Sequence, residues 1–450
     1  MPYEGQQASK RGHIDIVKND DVRKFLAECA YLTQPGEQAA KEIAGNFQRA
    51  PMCNELPKLV IASDGSTYSE PIDKKFPSTQ IGYVKTSFMA FDMGDYNGLV
   101  KPGIPFVDPY AAASLHNKAR AVAFTLPGSN VRYKGMQVQD GFRRAVYEQL
   151  TDERTQIPRG GFSVKDMLYH LEDGQIAIER CPSCGAAGPH FFKAGEDERK
   201  CTSCHTVVYV TDSLRIHEQI SDQGDNSSAI TRFMNAVEHL QLATLLKVMA
   251  DNSLSTVAGA AIMVDGPLAL FGQPARYHAS IQAFYNKLFE RCTAANLPSP
   301  LIMGLQKDGM VMEHARALSP HLRNGTFCPV SDDYRAKFIN GIAPLTDNFG
   351  HETYYGQDFI YKTDSGRIFD VCLAYPFSNK HNRKQFSGMK ADPTNYDHWL
   401  ARAFSLIRHL EFDLYENSVV PVALAHRHAS ISLSPGGTLL DVLTKKHLNQ

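Results

Sequence analysis

Apolar residues recur along this chain with two periods, and segments of each period alternate. Val22, Phe25, Leu26, Cys29 and Leu32 fall at helical spacing and predict a helix from about Asp20 to Arg49. An uninterrupted run, Leu59-Val60-Ile61-Ala62, predicts a buried strand that ends in a turn at Ser63-Asp64-Gly65-Ser66. β-Branched and aromatic residues fill the stretch from Thr79 to Phe91, and Phe142, Val146 and Leu150 mark a helix from Gly141 to Arg154. Helical periodicity returns from Asn226 to Asp251, with Ile230, Phe233, Val237, Leu240, Leu245 and Val248 facing inward. A fully apolar strand from Gly259 to Val264 then ends at Asp265-Gly266. A helix (Ala275 to Ala295) and a strand (Leu301 to Leu305) follow, the strand ending at Gln306-Lys307-Asp308. The last third places β-type runs at Asp358 to Tyr361 and Ile368 to Ala374 before a helix from Tyr396 to Asn417. It closes on a strand, Val419 to Ala425, that delivers His426. Strands alternate with helices and no repeat is present, so the class is α/β.

Between about Thr155 and Arg215 this rhythm stops. Pro158, Gly160-Gly161 and short strands surround Cys181-Pro-Ser-Cys184 and Cys201-Thr-Ser-Cys204. Two CxxC units at this separation have the spacing of a zinc ribbon, in which four thiolates close a tetrahedron around Zn²⁺ with no open position. Gly185 suits the turn after the first pair. The alternative, a redox pair or unrelated cysteines, fits the paired spacing less well. The expected organisation is an N-terminal helical segment (1–55), a first part of a core (56–154), an inserted ribbon (155–215) and the rest of the core (216–450).

Composition narrows the setting. Hydrophobic residues make up 43% of 450 residues and charged residues 21%, as in ordinary globular proteins. A net charge of −1 gives no global field to steer a nucleic acid, so any such contact must be local. One candidate is the segment from Asn379 to Lys390. Lys380, Arg383, Lys384 and Lys390 surround Phe386 there, the make-up of a phosphate-contacting loop, although such a run is as often a solvated face. The first residues carry no apolar secretory core, and the most apolar stretch, Thr256 to Gly272, is split by Asp265 and Pro267. Nine cysteines, four of them in CxxC pairs, point to metal binding in a reducing, cytoplasmic compartment without membrane contact. Cys29, Cys53, Cys292, Cys328 and Cys372 read as ordinary buried thiols.

Asp64 and Asp265 share one context: each ends an apolar strand and precedes glycine. The ends of strands in α/β sheets are where sites form, yet Asp-Gly alone is usually a turn. Glu238 lies on the inward side of the helix from Asn226 to Asp251, where a carboxylate needs a partner, either a basic side chain or a cation. Lys307 and His426 each follow a strand.

The order of these pieces resembles the NurA nuclease family. It comprises Ile61-Ala-Ser-Asp64-Gly-Ser, the helix from Arg232 to Leu240, Met263-Val-Asp265-Gly-Pro-Leu, Gly304-Leu-Gln-Lys307, and Val422-Ala-Leu-Ala-His426 followed by Ala429-Ser-Ile. The resemblance runs from about Leu56 to Leu443 outside the ribbon. It implies an RNase H-like core, a mixed sheet flanked by helices, interrupted here by a zinc ribbon the family does not usually carry. It further implies a homodimer that cuts DNA with Mn²⁺ (or Mg²⁺) as a 5′-to-3′ exonuclease or single-strand endonuclease. The implied partner is a HerA-like hexameric ATPase, in DNA end processing, repair or anti-phage defence. Asp64, Glu238, Asp265 and His426 would be the metal ligands, with His428 an alternative to His426. Two divalent ions about 3.5–4 Å apart would clamp the attacking and departing oxygens of a phosphodiester, and Lys307 would steady the phosphate or the water. Asp64 is one candidate to bridge the two ions. The competing reading is a non-catalytic zinc-ribbon adaptor that binds DNA within a translocase complex; an RNase H or resolvase-like nuclease would share the chemistry on another substrate.

Overall fold

Apolar and β-branched runs from both halves of the chain meet in one mixed sheet. The computed structural model describes residues 14–29, 35–73, 75–99, 119–341, 349–380, 382–411, 418–431 and 440. Its strands are β1 (Gln48–Arg49), β2 (Leu59–Asp73), β3 (Phe76–Asp92), β4 (Ala119–Pro127), β5 (Gln175–Arg180), β6 (Ala187–Lys193) and β7 (Glu198–Lys200). After these come β8 (Val207–Tyr209), β9 (Ala261–Asp265), β10 (Leu301–Gln306), β11 (Thr326–Pro329), β12 (Gly356–Lys362) and β13 (Ile368–Ala374). Nine of them form one sheet in the order β1-β11-β12-β13-β10-β9-β2-β3-β4. At its centre β2, β9 and β10 are parallel, Val60 pairing with Ala261 and Ala261 with Leu301. All four residues from Ala261 to Val264 are buried, as a parallel strand covered on both faces requires.

Helices α1 (Val138–Thr151), α2 (Ser227–Asn252), α3 (His278–Ala294), α4 (Arg383–Ala391), α5 (Asp397–Leu410) and α6 (Val420–Ala429) cover the sheet. Side chains alternate along the strands and sort the core into two layers. Ile61, Ile262, Val264 and Ile302 pack with Phe233, Val237 and Leu240 of α2 and Ile281 of α3. Val60, Ala62, Ala261 and Met263 pack with Leu406 and Ile407 of α5 and Val422 and Ala425 of α6. Leu240 is fully buried, and truncating it to alanine would cost about 2–5 kcal/mol.

The stretch with the four cysteines forms two hairpins, β5–β6 and β7–β8, outside the main sheet. Before them a helix, Val164–Leu171, starts on a reciprocal cap between Ser163 and Asp166. Ile176, Ile178 and Phe192 of the first hairpin join the same apolar cluster as Phe142 of α1. No helix among the described residues is long and apolar enough to cross a membrane.

Several sequence expectations need correction. The helix expected from Asp20 to Arg49 is two pieces, Asp20–Glu28 and Glu37–Ala44, with Gly36 as the second N-cap; Pro35-Gly36 cannot continue a helix. Phe25 and Leu26 are 67% and 63% exposed, so they form no inward stripe, and Leu32 lies outside the described residues. Asp64 does not sit in a turn. Ser66, Thr67 and Tyr68 continue β2 as a half-buried strand paired along β3, with Asp64 opposite Ser87. Residues 419–425 are not a strand. Pro421 stands in the first turn of α6, where its missing N–H costs nothing, and Ala423, Leu424 and Ala425 favour the helix. The preceding helix, α5, ends at Leu410, and 412–417 lie outside the described residues, as do 441–443. Cys292, Cys328 and Cys372 are buried, but Cys29 is exposed and Cys53 half-buried.

Candidate metal centre

Parallel pairing of β2 with β9 places Ala62 beside Met263 and Ser63 beside Val264, so Asp64 and Asp265 stand side by side. Both share the parity of Ala62 and Met263 and therefore face the α5–α6 layer. Helix α6 crosses that face. From its last turn His426 brings Nδ1 to 2.8 Å from Asp64 Oδ2 and 3.6 Å from Asp265 Oδ2. One ligand atom from each of the three residues lies within 4.8 Å of the others. Lys307, just beyond β10, contacts Asp265 Oδ2 through Nζ. Past α6 the chain is tied back to β2 by Ile431 N–H donating to Ser66 Oγ at 3.3 Å.

Glu238 comes from the other layer. Ser63 and Gly65 point towards α2, and Ser63 Oγ donates to Glu238 Oε1 at 3.2 Å. A Cβ on Gly65 would lie 2.9 Å from Met234 Cγ and 3.1 Å from Glu238 Oε2, so only glycine lets α2 approach this close. Glu238 is outside the three-ligand cluster, and no basic side chain among the described residues pairs with it. In sequence Gly65 predicts a turn and Ser63 carries no expected role. No local pattern marks either, because both act on Glu238, which lies 175 positions beyond Ser63 in the chain.

The electrostatics follow from this crowding. Burial pushes the Asp265 carboxyl up to about 6; Lys307 and His426 oppose the rise, and Asp64 adds to it. Burial, with Asp64 and Asp265 nearby, holds Glu238 well above the usual carboxylate range. The hydrogen bond to Asp64 raises His426. A cation held between these carboxylates would favour their ionised forms, and the cluster of Asp64, Asp265 and His426 could bind one. His428, two residues further along α6, is turned about 200° from His426 around the helix.

The four cysteines also converge. Cys181 Sγ and Cys204 Sγ are 3.7 Å apart, and Cys184 Sγ and Cys201 Sγ 3.8 Å. A tetrahedron with Zn–S bonds of about 2.3 Å has edges of about 3.8 Å, so the cluster has the size of a zinc site. Each knuckle closes alike: Gly185 N–H donates to Cys181 O at 2.9 Å, and His205 N–H to Cys201 O at 3.0 Å. Both residues take positive φ, 69° and 61°. Arg143 anchors the first knuckle to α1. It grips Asp212 with two bonds, at 2.9 and 2.6 Å, and reaches Ser183 Oγ at 3.0 Å.

The loop expected to contact phosphate is different in the structure. Asn382 caps α4, and this helix buries Phe386 completely, so that ring is not available for stacking. Lys380 points inward and donates to the carbonyls of Gly350, His351 and Tyr354. Lys390 binds Asp332 and Phe349 O, each at 2.6 Å. Neither ammonium is free for DNA. Lys384 is exposed, and Arg383 begins α4, its side chain outside what is described.

The fold and site define a mixed α/β protein with a carboxylate–imidazole centre and a separate four-cysteine site. No protein-family model and no curated protein matches the chain. Among solved structures it is similar to the NurA nuclease from Sulfolobus solfataricus, at 7% identity over 98% of this chain and 95% of that one, with a TM-score of 0.37. A second NurA structure is similar at 10% identity over 97% and 95%, with a TM-score of 0.29.

Proposed function

We propose that this chain is a divalent-metal-dependent DNA nuclease. The observation that carries the proposal is the meeting of Asp64, Asp265 and His426 from two parallel strands and a distant helix, with ligand atoms inside 4.8 Å. A divalent cation bound there would stabilise charge on the attacking and departing oxygens of a phosphodiester. Lys307 contacts Asp265 and would steady a phosphate oxygen if a cation were to hold that carboxylate. Asp64 orients His426, whose side chain is 54% exposed and can exchange protons with solvent or substrate. Glu238, behind β2 and outside the three-residue cluster, would join Asp64, Asp265 and His426 as a ligand only on losing the proton that its burial favours.

The finer reading rests on motif order. It is a cytoplasmic homodimer preferring Mn²⁺ to Mg²⁺, cutting as a 5′-to-3′ exonuclease or single-strand endonuclease. It works with a HerA-like hexameric ATPase in end processing, repair or anti-phage defence. Residues 155–215 form its inserted ribbon, with structural Zn²⁺ on Cys181, Cys184, Cys201 and Cys204. Incubating purified protein and Mn²⁺ with end-labelled single- and double-stranded DNA, RNA and hybrid strands tests the substrate class. DNA cleavage that chelator abolishes is expected; cleavage confined to RNA, or none on any strand, contradicts the proposal.

A further inference from the structure

At the opposite end of the parallel strands from the metal centre lies a cleft of about 720 Å³. Its walls are the approaches to β2, β9 and β10 and one face of α5. Leu59 opens β2 five residues before Asp64, about 17 Å along the strand, so the two sites are separate.

Arg402 of α5 is 6% exposed and lines this cleft. Its Nη1 donates to Ser299 O at 2.7 Å and its Nη2 to Gly259 O at 3.0 Å. Those bonds use two of the five N–H groups of a guanidinium. No carboxylate among the described residues forms an ion pair with it, and burial lowers its pKa, with Cys53 and Glu55 only partly opposing. A buried cation without a counter-charge calls for an anion. Lys58, leading into β2, adds an exposed positive group at the mouth, and His398, one turn earlier on α5, adds an exposed imidazole that burial and Arg402 keep neutral and able to donate a hydrogen bond. Two acids share the lining. Glu55 is exposed, and Asp92 Oδ1 is occupied by the N–H groups of Gly94 and Asp95 at 2.7 and 3.3 Å. Leu56, Pro57, Leu297 and Pro298 supply an apolar wall.

We propose that this cleft binds a small phosphorylated organic anion of nucleoside-monophosphate size, with the phosphate on Arg402 and the flat body against the apolar wall. The volume lies within the ~300–1,000 Å³ of small-molecule sites, and an arginine fork matches a phosphate geometrically. The assignment does not depend on the metal centre.

Calorimetric titration of the full-length Asp64→Asn protein, without added divalent cations, tests it with dAMP, deoxyadenosine and inorganic phosphate as probes. One dAMP per chain should bind, with deoxyadenosine and phosphate each weaker by at least about tenfold. His398→Glu and Lys58→Glu, both at exposed positions, should each weaken dAMP several-fold at unchanged melting temperature. Arg402→Lys, which keeps the charge and loses the fork, should weaken it further. Absence of heat at millimolar dAMP, binding of deoxyadenosine as tight as dAMP, or dAMP affinity indifferent to both rim variants overturns the proposal.

Discussion

Asp265→Asn should make the metal-free protein more stable, although it removes a residue of the candidate centre. In the native state burial and Asp64 lift the Asp265 carboxyl from 3.8 to about 6 against the opposing pull of Lys307. The native state therefore binds a proton more tightly than the unfolded chain does. That contribution is fully present below pH ~4 and is lost as pH rises through about 6. A shift of roughly two units at 1.36 kcal/mol each makes the ionised residue a burden of up to about 3 kcal/mol at neutral pH. Asparagine keeps the shape and removes the charge, so denaturant unfolding at pH 7.5 in chelator should show a gain of about 1–3 kcal/mol. The gain should shrink towards zero near pH 4. Mn²⁺ should raise the melting temperature of the parent protein by several degrees and leave the variant nearly unmoved, because the cation relieves the same repulsion. A variant less stable than the parent at neutral pH would refute this account of the site's electrostatics.

Two further outcomes follow from the packing. Gly65→Ala inserts a methyl group against Met234 and Glu238, which should cost about 1–3 kcal/mol and displace the carboxylate; an unfolding curve and cleavage rate equal to the parent's would show that the close approach is dispensable. Freshly purified protein should carry about one tightly held zinc per chain, and Cys201→Ser should lower folding yield more than the cleavage rate of the surviving protein; metal analysis is the check, and absence of zinc would reject the ribbon.

Legibility in the sequence followed the range of the interactions involved. The buried strands β9 and β10, the helix α2 and the paired CxxC units were readable because each is written in neighbouring residues. Val419, Val420 and Val422 have strand propensity and predict a strand where α6 forms, while Pro421 and the alanines obey the rules of a helix start. Composition predicts a phosphate-contacting loop at the basic segment because it does not show which way each side chain points. Phe386 must be buried, and the helix that buries it turns Lys390 inward. The polar centre was assembled from residues far apart in the chain, so its members could be listed from motif order but not its geometry. Alternation along β2 decides that Asp64 meets His426 on one face while Ser63 meets Glu238 on the other. A carboxylate's partner across a strand has no local signature.

The most direct test of the nuclease proposal is the single-turnover cleavage rate of Asp64→Asn on end-labelled single-stranded DNA with Mn²⁺, read beside its melting temperature. Asp64 is 5% exposed and sits mid-strand, so the isosteric change should leave the fold intact. The expected result is a loss of at least about a hundredfold in rate, some 2.7 kcal/mol of transition-state stabilisation, with a melting temperature equal to or above the parent's. Cleavage at the parental rate by a folded Asp64→Asn protein would contradict the proposal that this centre cuts DNA.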